Sequence, residues 1–556
     1  AEVRPMKLLK ETKKGSAISV AYASLSDEER FIMTAHPIST ATQASQAGIG
    51  AVSLGKSASD LNFTLNESIF APRRLSSDSR TFFDDGNVTL RAFEIDFARC
   101  NQERFRLLIR QEDDDTAALI DSGNAADVAN ASESVEIAEI KEVLCRHRET
   151  VYRAFAFYAA MGAVHERGDG YSISMDDYEA FVKKCRLNDP RSACCKLADL
   201  IDIFHTTNEE EGTGLKEDSE VNAVNLDKAL MRFEFFQCLV RIAIAKYVHA
   251  GPAASRRSRS GSSKQISDVS EALEELLVAD IIPNLPPEAN VVPDVFRERR
   301  LYKREMHMAL EGNETALSAI FDFYASSMDD DVADKPIVSG VAKYAHELNM
   351  SLEEWITLLE DSFLFDKEVT DEEGNSIRPV QFSRREAVLC FVWSQPFVTD
   401  EVRRRDKMQN LSFVDFLEAL CRIVTFKPLP SQEMLKQYSS KSTAHFFEQV
   451  DKGEHDGFEQ LTKSRVPITW KDDGGLATAG VSLRQPLEML ISLLFENLAR
   501  ADQVLTRKDL KRRLQDRADK KREAAEALRA AEEEAKGPAR MFGGATDVLM
   551  SKAFPT

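Results

Sequence analysis

The sequence predicts an all-α protein built around a helix-loop-helix unit that occurs twice. The first observation behind this expectation is a repeat in three blocks. Val151-Tyr-Arg-Ala-Phe-Ala-Phe-Tyr158 returns as Leu317-Ser-Ala-Ile-Phe-Asp-Phe-Tyr324, Ser174-Met-Asp-Asp-Tyr-Glu-Ala-Phe181 as Ser351-Leu-Glu-Glu-Trp-Ile-Thr-Leu358, and Phe235-Phe-Gln-Cys-Leu-Val-Arg-Ile242 as Phe416-Leu-Glu-Ala-Leu-Cys-Arg-Ile423. The offsets are 166, 177 and 181 residues, so the order is kept and only the connections change length. A repeat at this spacing fixes the architectural unit before any single motif is weighed. The second observation is periodicity. Phe235, Leu239 and Ile242 fall at i, i+4 and i+7, as do Phe416, Leu420 and Ile423, and each set makes one stripe of a helix. The third is the lack of alternating strand and helix patterns from which a parallel sheet could be built.

Residues 1–77 are rich in Ser, Thr, Ala and Gly with weak periodicity, which predicts a tail that is extended or ordered by a partner. Residues 78–133 follow as a helix plus an acidic linker, the helix marked by Leu90, Phe93, Phe97, Phe105, Leu107 and Leu108. The first repeat is expected over 134–250, and a basic linker with bridging helices over 251–312, where Pro283, Pro286 and Pro287 close one helical region. The second repeat is expected over 313–428 and a C-terminal helical segment over 429–505, whose last helix opens at Ser482. A charged helix and tail complete the chain over 506–556. Thr506-Arg-Lys-Asp509 starts that helix with a capping pattern and Gly537-Pro538 stops it.

With 556 residues the chain has room for about three to four domains. Its 43% hydrophobic and 29% charged residues suit a soluble globular protein with substantial cores. It lacks eighteen consecutive apolar residues and an apolar leader, so neither a membrane span nor secretion is expected. Five of its eight cysteines, Cys145, Cys185, Cys238, Cys390 and Cys421, sit in apolar helical patterns. Cys194-Cys195 is an adjacent pair without the spacing of a redox or zinc motif, which predicts free thiols in a reducing compartment. The net charge of -20 argues against nucleic acid as a partner, and against binding an acidic microtubule wall with the whole body of the protein. Two basic patches stand apart: residues 4–14, with Arg4, Lys7, Lys10, Lys13 and Lys14, and residues 256–264. Either could grip an acidic protein such as tubulin, although a solvated tail or linker is the simpler reading.

No residue set predicts catalysis, a cofactor or a bound metal. No Ser/His/Asp or Cys/His constellation stands out, and the nine histidines show no metal-ligand spacing. Gly50-Ala-Val-Ser-Leu-Gly-Lys56-Ser57 satisfies the phosphate-loop pattern, which would make the chain an NTPase acting through Lys56. A working loop follows a buried strand and opens a helix. Here polar residues 41–47 precede it and no sustained apolar pattern follows, so the match reads as coincidence. Ser174 with Asp177, and Ser351 with Glu354, have capping-box spacing. Arg241 and Arg422 recur beside the apolar stripes and are expected in structural ion pairs or caps.

The arrangement resembles EF-hand pairs, with Arg232–Ile242 and Phe413–Ile423 resembling the second helices of such hands. Calcium needs oxygen ligands at loop positions 1, 3, 5 and 12 and a glycine at 6. With Asp177 at position 12, position 1 is Glu166, position 3 Gly168, position 5 Gly170 and position 6 Tyr171. With Glu354, Glu234 or Asp415 at position 12, position 1 becomes Lys343, Ala223 or Arg404, and Asp406 adds one further carboxylate to the last loop. None of the four loops meets the requirement; Glu166 and Asp169 make the first the nearest to it.

Paired, ligand-poor hands of this kind, with Phe-x-Phe-Tyr openings and Leu-Val-Arg-Ile or Leu-Cys-Arg-Ile closings, look like those of ciliary and flagellar axonemal proteins of protists. The resemblance implies a non-enzymatic structural or interaction protein of a microtubule-based assembly in the cytoskeleton. Its partners would be axonemal or microtubule-associated proteins. The alternative is a calcium-responsive regulator with one weak site in its first loop.

Overall fold

The computed structural model describes residues 63–84, 86–100, 125–165, 170–190, 192–209, 229–249, 266–325, 348–367, 369–370, 376–378, 380–463, 482–500 and 512. Over these residues the protein is all-α, and its strands are two or three residues long. Ahead of the repeats come α1 (Arg73–Ser76) and α2 (Gly86–Arg99). The first repeat is formed by the end of the long α3 (Ala125–Val164), then β1 (Ile173–Ser174), α4 (Met175–Lys184), α5 (Leu197–Glu209), β2 (Ala229–Leu230) and α6 (Arg232–Ala243). A bridging region follows: α7 (Val269–Glu275), α8 (Pro293–Phe296) and α9 (Arg304–Glu311). Wide π-type turns extend α6, α7 and α8 over Ile244–Val248, Leu276–Ile281 and Arg297–Leu301.

The second repeat uses the same order: α10 (Glu314–Ala325), β3 (Met350–Ser351), α11 (Leu352–Asp361), the hairpin β4 (Val369–Thr370) and β5 (Ser376–Arg378), α12 (Arg384–Ser394), α13 (Arg405–Gln409), β6 (Asn410–Leu411) and α14 (Phe413–Phe426). Beyond it lie α15 (Gln432–Gln437), α16 (Thr443–Asp451), α17 (Gly457–Lys463) and α18 (Arg484–Arg500).

Several contacts recur in both repeats. In the first, β1 pairs antiparallel with β2, Ile173 facing Leu230 and Ser174 facing Ala229. In the second, β3 pairs with β6 in the same register, Met350 facing Leu411 and Ser351 facing Asn410. Phe155 and Phe235 sit 5.9 Å apart between ring centres, and their counterparts Phe321 and Phe416 sit 5.4 Å apart. Tyr178 Oη donates to the Leu200 carbonyl at 2.9 Å, and Trp355 Nε1 donates to the Ala387 carbonyl at 3.1 Å. Each polar tip thus ties the second helix of its repeat to the third, while the ring fills the core.

One apolar core runs through both repeats, from Ile69 to Leu498, and a small satellite surrounds Phe446, Val450 and Leu461. Helix α3 packs against α12 of the second repeat as well as against α2, α4 and α7. The segments expected as separate units therefore share one interior among the described residues.

Two expectations differ from the structure. The tail was to extend through residue 77, yet Ile69 and Phe70 are fully buried and Arg73 is 1% exposed. Their burial comes from contacts with residues more than two hundred positions away, which no local pattern encodes. The acidic linker was to reach 133, whereas α3 begins at Ala125. Pro283, Pro286 and Pro287 were to close a helical region, and the helix ends at Asn284, between the first and second of them. The basic patch 4–14, the Gly50–Ser57 loop, the linker 256–264 and the charged helix 506–536, apart from Arg512, lie outside the described residues.

Candidate functional site

Strands β1, β2, β3 and β6 each lead into a helix, and the acid three residues into that helix folds back on its own start. Glu234 Oε2 accepts from the Met231 N–H at 2.6 Å. Glu354 Oε2 accepts from the Ser351 N–H at 2.8 Å and from Ser351 Oγ at 3.0 Å. Asp415 Oδ2 accepts from the Ser412 N–H at 3.1 Å and from Ser412 Oγ at 2.6 Å, and Asp177 Oδ2 accepts from Ser174 Oγ at 2.5 Å. All four carboxylates are buried. Glu234, Glu354 and Asp415 each satisfy a backbone N–H at the helix start, Asp177 holds the hydroxyl of its cap Ser174, and all four lie at the positive end of a helix dipole.

Glu166, Gly168, Asp169, Ala223 and Lys343 lie outside the described residues. In the last loop Arg404 and Asp406 precede or enter α13, and the Asp406 carbonyl accepts from Asn410 Nδ2 at 2.9 Å. The cation beside Asp415 is internal: Arg73 Nη1 donates to Asp415 Oδ1, and at 2.7 Å to the Ser394 carbonyl. Among the described residues no cluster of three or more His, Cys, Asp or Glu side chains has metal-binding geometry.

Two buried ion networks join the repeats to each other and to the segment before them. In the first, Arg297 is fully buried beneath the C-terminus of α12. Its Nε donates to Glu418 Oε2 at 3.0 Å, its Nη1 to Asp84 at 2.8 Å and Asp294 at 2.7 Å, and its Nη2 to the Gln395 carbonyl at 2.9 Å. Guanidinium groups suit this place, since the last carbonyls of a helix attract cations and accept several donors at once. Arg422 also donates to Glu418 Oε1, at 2.9 Å through Nε, and stacks on the Phe296 ring. Burial raises the Glu418 carboxyl, but Arg297, Arg422 and Arg73 outweigh that and hold it below the ordinary value.

The second network is centred on Arg232, at the first position of α6. Its Nη2 donates to Asp96 Oδ1 at 3.2 Å and its Nη1 to the Val398 carbonyl at 3.0 Å, while its own N–H donates to Glu401 Oε1 at 3.0 Å. Tyr152 Oη donates to Asp96 Oδ2 at 2.8 Å, and Arg99 holds Asp400 through two contacts of 2.9 Å. Two fully buried carboxylates, Asp96 and Glu401, thus share one arginine. Burial, opposed by Arg232, pushes the Asp96 carboxyl up. Burial together with the charge of Asp96 raises Glu401 to about 7.

Between the networks, where α3 meets the end of α12, lies a cavity of about 210 Å³. Tyr152, Phe155, Val291, Trp393, Phe397 and Met408 give it a mainly apolar wall. A cavity of roughly 150 Å³ accepts benzene, so this one has room for a bulky apolar group. Its surroundings supply packing and fixed charge pairs; elsewhere in the core, burial pushes the Cys185 and Cys238 thiols up to about 12.

No protein-family model, curated protein or solved structure matches the chain. Of the residues singled out in the sequence, Ser174, Ser351 and the four acids come together at the helix starts, and Arg422 forms the expected ion pair. Its counterpart Arg241 follows Gln237, which stands where the second repeat has Glu418, so the first repeat lacks that carboxylate. Arg73, Arg232, Arg297 and Glu401 were not foreseen. An arginine in an otherwise apolar helix start, as in Arg232-Phe-Glu-Phe-Phe, was the one available signal.

Proposed function

We propose that the chain is a non-enzymatic structural and interaction protein, and that its two repeats are EF-hand-like pairs converted into rigid protein-binding modules. Counting Asp177, Glu234, Glu354 and Asp415 as twelfth residues, the strand partners Ile173, Leu230, Met350 and Leu411 are all eighth residues. The same register in both repeats supports the paired-hand reading. The observation that carries the function is the fate of the four acids. In every loop the position that would hold calcium bonds back to the start of its own helix, and in the last it also faces the buried guanidinium of Arg73. A cation would have to displace these bonds, and each one lost leaves a buried polar group unpaired.

The setting we propose is a microtubule-based assembly, the ciliary or flagellar axoneme, with axonemal or microtubule-associated proteins as partners. The aromatic motifs of the helices support this setting through their resemblance to axonemal proteins, and the capped loops support a binding surface over an ion sensor. Fractionating cells tests the setting. Retention of the protein in detergent-extracted axonemes is the expected result, and recovery only in the soluble fraction would overturn it.

A further inference from the structure

The chain carries a net charge of -20, yet one surface gathers arginines that pair with no carboxylate among the described residues. It surrounds the loop 77–84, between α1 and α2. Arg74 donates through Nε to the Arg80 carbonyl at 3.3 Å and through Nη1 to Asn66 Oδ1 at 2.7 Å. Arg91 donates through Nη2 to the Asp78 carbonyl at 3.1 Å. Those two carbonyls belong to residues two apart, which a chain spans in at most about 7 Å, so both guanidiniums converge on one turn. All three acceptors are neutral, and both arginines are exposed, so each keeps its full positive charge at the surface. Arg80, on the same turn, is exposed as well and holds a left-handed backbone, φ 56.

The second repeat adds to this surface. Asp78 accepts from the Thr399 N–H at 2.9 Å and from Lys407 Nζ at 3.2 Å, and the exposed Arg404 lies between them in sequence, its N–H donating to the Asp400 carbonyl at 3.0 Å. Those bonds occupy Asp78, and two contacts of 2.9 Å from Arg99 occupy Asp400. Glu94 is held by Lys141. Glu67 and Asp406 are then the exposed acids left on the described parts of these segments, against Arg74, Arg80, Arg91 and Arg404. Like charges held together repel, so the cluster costs the folded chain energy that an external anion recovers. Leu75 and Leu90, beside Arg74 and Arg91, are 61% and 38% exposed, and arginine with apolar surface suits a polypeptide. A nucleic acid fits worse. The aromatics of the loop, Phe82 and Phe83, pack against Tyr302 and give bases no platform, and the body of the protein repels a long polyanion.

We propose that this surface binds an acidic polypeptide segment, whose carboxylates accept paired N–H groups from Arg74, Arg80, Arg91 and Arg404. The choice of partner rests on the reading of the chain as a protein-binding module, and is independent of the axonemal setting.

Titrating a fluorescently labelled oligoglutamate peptide with the full chain, and following its anisotropy, tests this. Binding that weakens as salt rises is expected. The triple variant Arg74→Gln, Arg80→Gly, Arg91→Gln is expected to bind at least about tenfold more weakly. It should melt as the wild type does, since glutamine keeps a donor for each carbonyl and glycine suits the left-handed backbone of Arg80. Arg80→Gly with Arg404→Gln, which removes two charges and no internal side-chain bond among the described residues, is expected to weaken binding in the same direction. A wild type that ignores the peptide, or prefers a single-stranded oligonucleotide of equal charge, overturns the proposal. So does a triple variant that binds as the wild type does while glutamine at Lys7, Lys10 and Lys13, or at Arg256 and Arg257, abolishes binding. A chain that ignores the peptide but is retained in axonemes overturns this surface and leaves the protein-binding reading standing.

Discussion

The guanidinium of Arg73 donates to the carboxylate of Asp415, 342 residues further along the chain. It reaches from a short helix ahead of the first repeat into the last helix start of the second. Both side chains are buried, at 1% and 2% exposure, and Arg73 also donates to the carbonyls of Ser394 and Gln395. A buried pair of this kind is costly to break from one side, because the charge left behind has no water to solvate it.

Replacing Arg73 by alanine is therefore expected to destabilise the protein by about 3–5 kcal/mol. Replacing both partners, Arg73→Met with Asp415→Asn, is expected to recover part of that loss, since no uncompensated charge remains. Denaturant unfolding of the wild type and both variants provides the comparison. Equal destabilisation by the single and the double change would show that the pairing itself contributes little.

The joint around Arg232 predicts a pH dependence. The Glu401 carboxyl moves from 4.5 up to about 7 on folding, chiefly through burial. The folded state then binds a proton more tightly than the unfolded state between those values, so stability falls as the pH rises through that window. Asp78 and Asp400 are held below 3.8: burial opposes this, but hydrogen bonds from Thr399 to Asp78 and from Arg403 and Arg99 to Asp400 prevail. Their contribution is lost as the pH falls below 3.8 towards the lowered folded values. Stability is expected to peak near the lower edge of the Glu401 window, and Glu401→Gln to flatten the decline above it. Urea midpoints measured across the pH range check both statements; an unchanged decline in Glu401→Gln would assign it to another group.

Because one core passes through both repeats, they are expected to unfold together. Phe155→Ala and Phe321→Ala remove matching rings from the two halves, each at a cost of about 3–5 kcal/mol. Calorimetry of either variant should show one cooperative transition, shifted downward, for both repeats. If Phe155→Ala lowered one transition and left a second in place, the halves would be energetically separate.

The sequence stated its local rules openly and its long-range ones hardly at all. The repeat, the apolar stripes and the Ser-x-x-acid spacing at Ser174 and Ser351 are properties of short windows, and the structure uses them as expected, down to Glu354 closing on Ser351. Residues 63–77 were misjudged because their order comes from Arg73 and its distant partners, while their own composition is that of a loop. Arg232, Asp96 and Glu401 lie in three separate segments, and only the assembled fold shows that two carboxylates share one arginine. The π-type turns following α6, α7 and α8 were equally invisible, since their residues suit an ordinary helix.

The most direct test of the account concerns the four capped acids. Titrating the full chain with calcium by calorimetry, alongside melting curves with and without the ion, asks whether any loop still takes a cation. No saturable heat and an unchanged melting temperature are expected. A saturable heat that disappears in Asp177→Asn or in Glu354→Gln would contradict it, by showing that an acid assigned to capping binds calcium instead.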